Sequence, residues 1–305
     1  MEPQTLSTNT RSVGMPLLMI LGFLFVGMIV GTLLASLLNL LISEIWGVPI
    51  SAMVDVNADT PFSERQFFRT INLVSHVFTF TVPGLATAYL FHKKQWWDKL
   101  SLNVQPQSFF IGAGIVWLMV SFPFAQWSYW INQQLPLPSW ATSLEGQAEA
   151  MIAGLLNMEG IGELLFSLVV MAVAPAVGEE IIFRGIVQKE FEDRMRNPHL
   201  AIWLAAVIFS GFHMQFEGFL PRLILGALLG YLFYWSKNLW IPIIVHLFYN
   251  GIQIVAYYSY GEALDEMAAE SEMPNLFLSL GSLVLFIIGG WYLAKHSNTL
   301  EEKTV

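Results

Sequence analysis

Residues 163–188 read ELLFSLVVMAVAPAVGEEIIFRGIVQ. Up to Val177 the run is suited to hydrocarbon; Glu179, Glu180 and Arg184 then interrupt it without ending it. A charged side chain at the centre of a lipid-facing helix costs about 2.5–3.5 kcal/mol on insertion scales, so such residues turn inward and find partners. The stretch therefore predicts a helix that crosses a membrane and carries charge toward the inside of a bundle.

The rest of the chain agrees. Of 305 residues, 55% are hydrophobic and 12% charged, against about 25% charged in a soluble domain. Mean hydropathy is +0.57, and apolar runs near the ~20 residues that span a bilayer recur throughout. Spans are expected at about 15–43, 70–92, 106–131, 161–188, 199–216, 219–236, 239–259 and 275–295. The fold class is thus an all-α polytopic membrane protein with about eight transmembrane helices and both termini cytoplasmic, forming a single membrane domain over 1–305. The first apolar segment is too long for the h-region of a signal peptide and lacks a small-residue cleavage site, so it reads as a retained span.

Charge sets the direction. With the N-terminus inside, the cytoplasmic connections hold Lys93, Lys94, Lys99, Lys189, Arg194, Arg196, Lys237, Lys295 and Lys303, while residues 132–160 and 260–274 contain no Lys or Arg. That asymmetry follows the positive-inside rule. Residues 44–69 fit poorly, because they carry Arg65 and Arg69 on the outer side, accompanied by Glu44, Asp55, Asp59 and Glu64. Residues 132–160 include LPLP and are expected to contain a short interfacial helix. The net charge of −9 gathers in EGQAEAM and EALDEMAAESEM, read as solvated loop faces. No basic cluster points to nucleic acid. The absence of cysteine excludes disulfides, thiolate metal sites and a cysteine nucleophile.

Three expected spans carry polar groups in apolar surroundings: Glu179, Glu180 and Arg184; His213; and His246 with Asn250. Glu180 and Arg184 are four apart and share a helix face, as do His246 and Asn250. Glu179 points about 100° away from Glu180 and is free to serve something else. Glu179 precedes the turn at Arg194–Pro198 by 15 residues and His213 follows it by 15. Both therefore lie about 22 Å from that turn and level with each other. His246, six residues past Trp240, becomes level only if the hairpin around EFEDRMRN projects about two turns beyond the bilayer. His76 has no such company and reads as a packed polar residue; Glu163 and Glu217 lie near span ends and read as rim positions.

A carboxylate and an imidazole held in low dielectric can deprotonate water for attack on a carbonyl. A second imidazole and an amide can donate to the oxyanion that develops. The same Glu and two His can instead ligate zinc with an open position. Both descriptions imply amide hydrolysis by activated water.

Glu179-Glu180-x-x-Phe183-Arg184, Phe209-x-x-x-His213 and His246-x-x-x-Asn250 resemble, in order and spacing, the three motifs of the CPBP family. That family comprises the type II CAAX prenyl endopeptidases and their bacterial relatives, also called ABI proteins. The resemblance covers residues 160–255 and implies a catalytic core there. It implies Glu179 as general base assisted by His213, His246 and Asn250 as oxyanion donors, and Glu180 with Arg184 as holders of the geometry. No cofactor is favoured and zinc stays open, since none of the motifs has the His-Glu-x-x-His form of a helix-borne zinc protease. The implied partners are the lipid bilayer and a membrane-anchored protein or peptide, prenylated or not. Short loops, a short N-terminal tail and no endoplasmic-reticulum signal favour a bacterial plasma membrane. The competing reading is a non-catalytic scaffold, a bacteriocin-immunity protein or a transporter using the same polar cluster. Transporters often repeat interrupted helices in both halves, and no such pair is visible.

Overall fold

The computed structural model describes residues 14–50, 60–195, 197–269 and 273–304. Among the described residues there are helices and no strands. In chain order the first helices are α1 (Gly14–Trp46), α2 (Phe62–His76), α3 (Val82–His92), α4 (Trp96–Lys99), α5 (Ser108–Gln133) and α6 (Ser139–Leu156). They are followed by α7 (Ile161–Leu168), α8 (Ala174–Ile182), α9 (Lys189–Met195), α10 (Pro198–Phe212), α11 (Phe219–Ser236), α12 (Trp240–Ala269) and α13 (Leu276–Thr304). π-helical turns at Val77–Thr81, Val169–Val173 and Phe183–Gln188 join α2 to α3, α7 to α8 and α8 to α9. Asp55, Asp59, Arg196 and residues 270–272 of the acidic stretch lie outside the described residues.

Among the described residues, seven runs are long and apolar enough to cross a membrane, among them Phe62–Lys99 and Ile161–Met195. The fifth of the eight expected spans, 199–216, is instead the shorter apolar helix Pro198–Phe212. The expected span at 199–216 stops at Phe212 because the chain turns there, with Met214 in the left-handed region at φ 54°. Where a short helix was expected within residues 132–160, α6 runs for 18 residues.

These helices sort their faces for two solvents. In α1, Ile20, Leu24, Met28 and Ala35 are buried, while Leu18, Phe25, Leu33, Leu37 and Leu41 face outward, an apolar outer surface suited to lipid. The buried stripe packs on α2 and α3. A Cβ on Gly31 would overlap the Phe78 carbonyl oxygen in the π turn, so only glycine permits this approach. A second core gathers Trp117 of α5 with Leu228, Leu229, Leu232, Val245 and Leu293 from α11–α13. Pro123 interrupts the α5 ladder, and Ser282 of α13 serves the groups beside the break: Phe124 N donates to Ser282 Oγ at 3.2 Å and Ser282 Oγ donates to Val120 O at 2.5 Å.

Arg65 and Arg69, which fitted the charge rule poorly, lie inside α2, because the helix starts at Phe62 rather than near residue 70. Arg65 Nε and Nη2 grip the Glu163 carboxylate at 3.0 and 2.9 Å. Arg69 Nη1 reaches the same carboxylate at 2.7 Å and its Nε donates to Ser167 at 2.9 Å. Glu163 is accordingly buried, not at a rim. Charges consumed in such a clamp do not act as loop charges, which explains the misfit.

Candidate active site

Glu179 and Glu180 sit on α8, near the middle of the run Ile161–Met195. The helix carrying His76 crosses directly over them. A Cβ on Gly178 would lie 2.7 Å from Thr81 Oγ1, 3.1 Å from Phe80 Cβ and 3.2 Å from His76 Cε1. The missing side chain at Gly178 is what lets α2 and its π turn come so close.

The paired glutamates divide as the four-residue spacing anticipates. Glu180 is fully buried, and its Oε1 accepts from Arg184 Nη1 at 2.7 Å. Arg184 also donates to Gly226 O at 2.9 Å and lies 4.6 Å from the Phe209 ring centroid. The same Glu180 oxygen meets His246 Nδ1 at 2.8 Å. A carboxylate already accepting from arginine offers only lone pairs, so His246 Nδ1 carries the hydrogen.

Glu179 is buried too, at 7% exposure, yet it meets no arginine. Its Oε2 stands 4.0 Å from both His213 Nε2 and His246 Nε2, and its Oε1 stands 3.3 Å from His76 Nε2. His213 is the residue after α10 and donates from Nδ1 to Phe209 O at 2.9 Å. Its Nε2 is therefore an acceptor in the neutral ring. Phe209 makes edge contacts with both His213 and His246, fixing their planes.

Lys189 Nζ donates to Lys99 O at 2.5 Å and Leu239 N donates to Ser101 O at 3.2 Å, which ties the α9 end of the fourth run to the start of α12. From Lys189, the first residue of α9, the helix runs on to Met195, about 9 Å, in the sense needed to bring His246 beside Glu179 and somewhat short of two full turns.

The loop after His213 is fastened from the other side. Asn132 Nδ2 donates to Phe216 O at 2.8 Å, Glu145 of α6 accepts from Glu217 N at 2.9 Å, and Arg222 donates to Gln215. Asn250 is half-buried one turn along α12 from His246, and its side chain makes no hydrogen bond among the described residues. The structure thus brings Glu179, Glu180, Arg184, His213 and His246 together and leaves Asn250 untied. It also corrects one expectation: His76 is at Glu179, not merely packed, because the α2 crossing at Gly178 delivers it there.

The donors do not fit a metal ion as arranged. A tetrahedral zinc about 2.0–2.1 Å from each ligand needs ligand atoms roughly 3.3 Å apart, whereas Glu179 Oε2 stands 4.0 Å from each of two imidazoles. Among the described residues no group of three or more His, Asp or Glu side chains is placed to hold a metal.

Residues 161–252 match the family described as Type II CAAX prenyl endopeptidase Rce1-like. Among curated proteins, the chain is 25% identical over 103 residues to the Bacillus subtilis (strain 168) protein described as "Uncharacterized protein YpbD". That match covers 30% of this chain and spans half, 50%, of the relative's length. No solved structure matches the chain. Both π turns of the fourth run and all three motifs fall inside the segment that is similar to that family.

Proposed function

We propose that the protein is an intramembrane endopeptidase that hydrolyses a peptide bond in a membrane-anchored protein or peptide, with water activated by Glu179 and His213. The observation that carries this reading is the 4.0 Å gap between Glu179 Oε2 and His213 Nε2, two acceptors facing each other. A water about 2.8 Å from both donates one hydrogen to each and presents its oxygen lone pairs outward. Glu179 takes a proton as that oxygen bonds to the scissile carbonyl carbon. The carbonyl oxygen becomes an oxyanion within reach of His246 and Asn250. When the carbon–nitrogen bond breaks, the proton on Glu179 passes to the departing amine, which restores the carboxylate.

His246 has a specific constraint in this scheme. Its Nδ1 hydrogen is held by Glu180 at 2.8 Å, so Nε2 bears a hydrogen only when the ring is doubly protonated. The Asn250 amide donates in every protonation state. Glu180 and Arg184 never touch the reacting atoms; they fix the ring of His246 and the direction of α8.

The description of the matched family supports a prenylated CAAX-type substrate. A relative from a bacterium supports the bacterial plasma membrane as the location. The test is Glu179→Gln in bilayer-reconstituted protein, assayed on a fluorogenic peptide with a farnesylated cysteine followed by three residues. Loss of ~10²–10⁴-fold in rate with normal yield is expected. Retained activity would remove Glu179 as the base, and wild-type protein that does not cut the peptide would leave the scaffold or transport reading standing.

A further inference from the structure

We infer that His76, outside all three motifs, is a positioning residue that selects which oxygen of Glu179 acts as the base; this rests on the reading of Glu179 as base. His76 ends α2, and its ring stacks on Phe80 with centroids 4.6 Å apart and planes within 13°. Nδ1 is buried with no partner among the described residues, while Nε2 faces Glu179 Oε1 at 3.3 Å. A hydrogen on Nδ1 would be a buried donor without an acceptor, and Nε2 would then face the carboxylate lone pair to lone pair. Both penalties vanish when the hydrogen is on Nε2. Neutral His76 therefore donates to Oε1.

The consequence is directional. The terminal torsion of a glutamate is broad and roughly two-fold, so an unheld carboxylate samples both oxygens. With Oε1 engaged, Oε2 is the oxygen left facing His213 and His246. Gly178 next to Glu179 belongs to the same device, since any side chain there would displace His76, Phe80 and Thr81. The groups facing Glu179 are His76 from α2, His213 after α10 and His246 from α12. Glu180 and Arg184 are on its own run, and Arg222 of α11 acts from further off.

The full chain contains six histidines, so its ¹⁵N-histidine spectrum in bilayers is resolvable, and His76→Gln identifies the His76 signals. A protonated Nε2 and bare Nδ1 are expected, with the Nε2 signal moving in Glu179→Gln. His76→Phe keeps the stack on Phe80 and loses the donor. On the farnesylated peptide it is expected to lower kcat by about 10–100-fold with KM within about two-fold. His76→Gln, which retains an N–H, should recover part of that loss. An Nδ1-protonated ring, a His76 signal indifferent to Glu179→Gln, or an unchanged kcat in His76→Phe overturns the inference. If wild-type protein does not cut the peptide, the proposed function falls, and the labelled spectra alone decide whether His76 holds Glu179.

Discussion

Removing Arg184 tests how the charged centre of α8 survives inside the bundle. The guanidinium is 1% exposed and makes three contacts: Glu180 at 2.7 Å, Gly226 O at 2.9 Å and the Phe209 face at 4.6 Å. Without it, Glu180 keeps only His246, and its Oε2 already has no partner among the described residues. Taking one partner from a buried pair typically costs about 3–5 kcal/mol, because the other charge is left uncompensated. Arg184→Met should therefore lose about that much, and Glu180→Gln a comparable amount by orphaning the cation. The double variant removes both charges and leaves an amide oxygen that still accepts from His246. Its loss should fall short of the sum by about 2 kcal/mol or more, the coupling expected of residues in one network. Reversible unfolding by SDS titration in mixed micelles, followed by fluorescence of the 11 tryptophans, measures all three. Additivity within about 0.5 kcal/mol would show that Glu180 and Arg184 do not stabilise each other, and the argument from burial would be wrong. Glu179→Gln serves as the control and should change stability by less than about 1 kcal/mol, since no arginine depends on it.

Three further outcomes are expected. Gly178→Ala places a methyl 2.7 Å from Thr81 Oγ1, so it should cost about 1–3 kcal/mol in the same titration and reduce peptide cleavage more than His76→Gln does. Purified protein should lack stoichiometric zinc by elemental analysis, and chelators should leave cleavage intact; inhibition reversed by zinc alone would refute the metal-free scheme. In a chain without cysteine, Gln147→Cys and Lys94→Cys, both at exposed positions, should label from opposite faces of the membrane. Labelling of both from one face would refute the assigned direction.

What could be read from sequence was what depends on one helix or on counting along two. Glu180 and Arg184 are neighbours by helical spacing alone, and equal distances from one turn brought Glu179 and His213 together. His76 escaped because its contact depends on the angle at which α2 crosses α8, which no periodicity encodes. A glycine beside the paired acids, and Ser75, His76, Thr79 and Thr81 crowded into one apolar span, were the available signals. Arg65 and Arg69 were misplaced for a related reason. Their charge lowers local hydropathy and moves the apparent helix start past them, while the partner that neutralises them, Glu163, lies 94 to 98 residues away.

Each π turn holds about one residue more than an α turn would. Helix α8, with both glutamates, lies between two of them, Val169–Val173 and Phe183–Gln188. Its azimuth is therefore held with one surplus residue on either side of it. Deleting one residue from Val169–Val173 returns that turn to α-helical winding, keeps the flanking helices close to their present phase and leaves a segment still apolar enough to insert. A second deletion there finds no surplus residue and rotates the upstream helix, with Glu163, by about 100° relative to α8. Insertion responds to hydrophobicity and is blind to phase, whereas the carboxylate's bearing relative to the Arg65 and Arg69 anchorage depends on phase alone. The first lost codon is absorbed, and the second gives a protein that enters the membrane normally and can satisfy the clamp or the imidazoles, but not both.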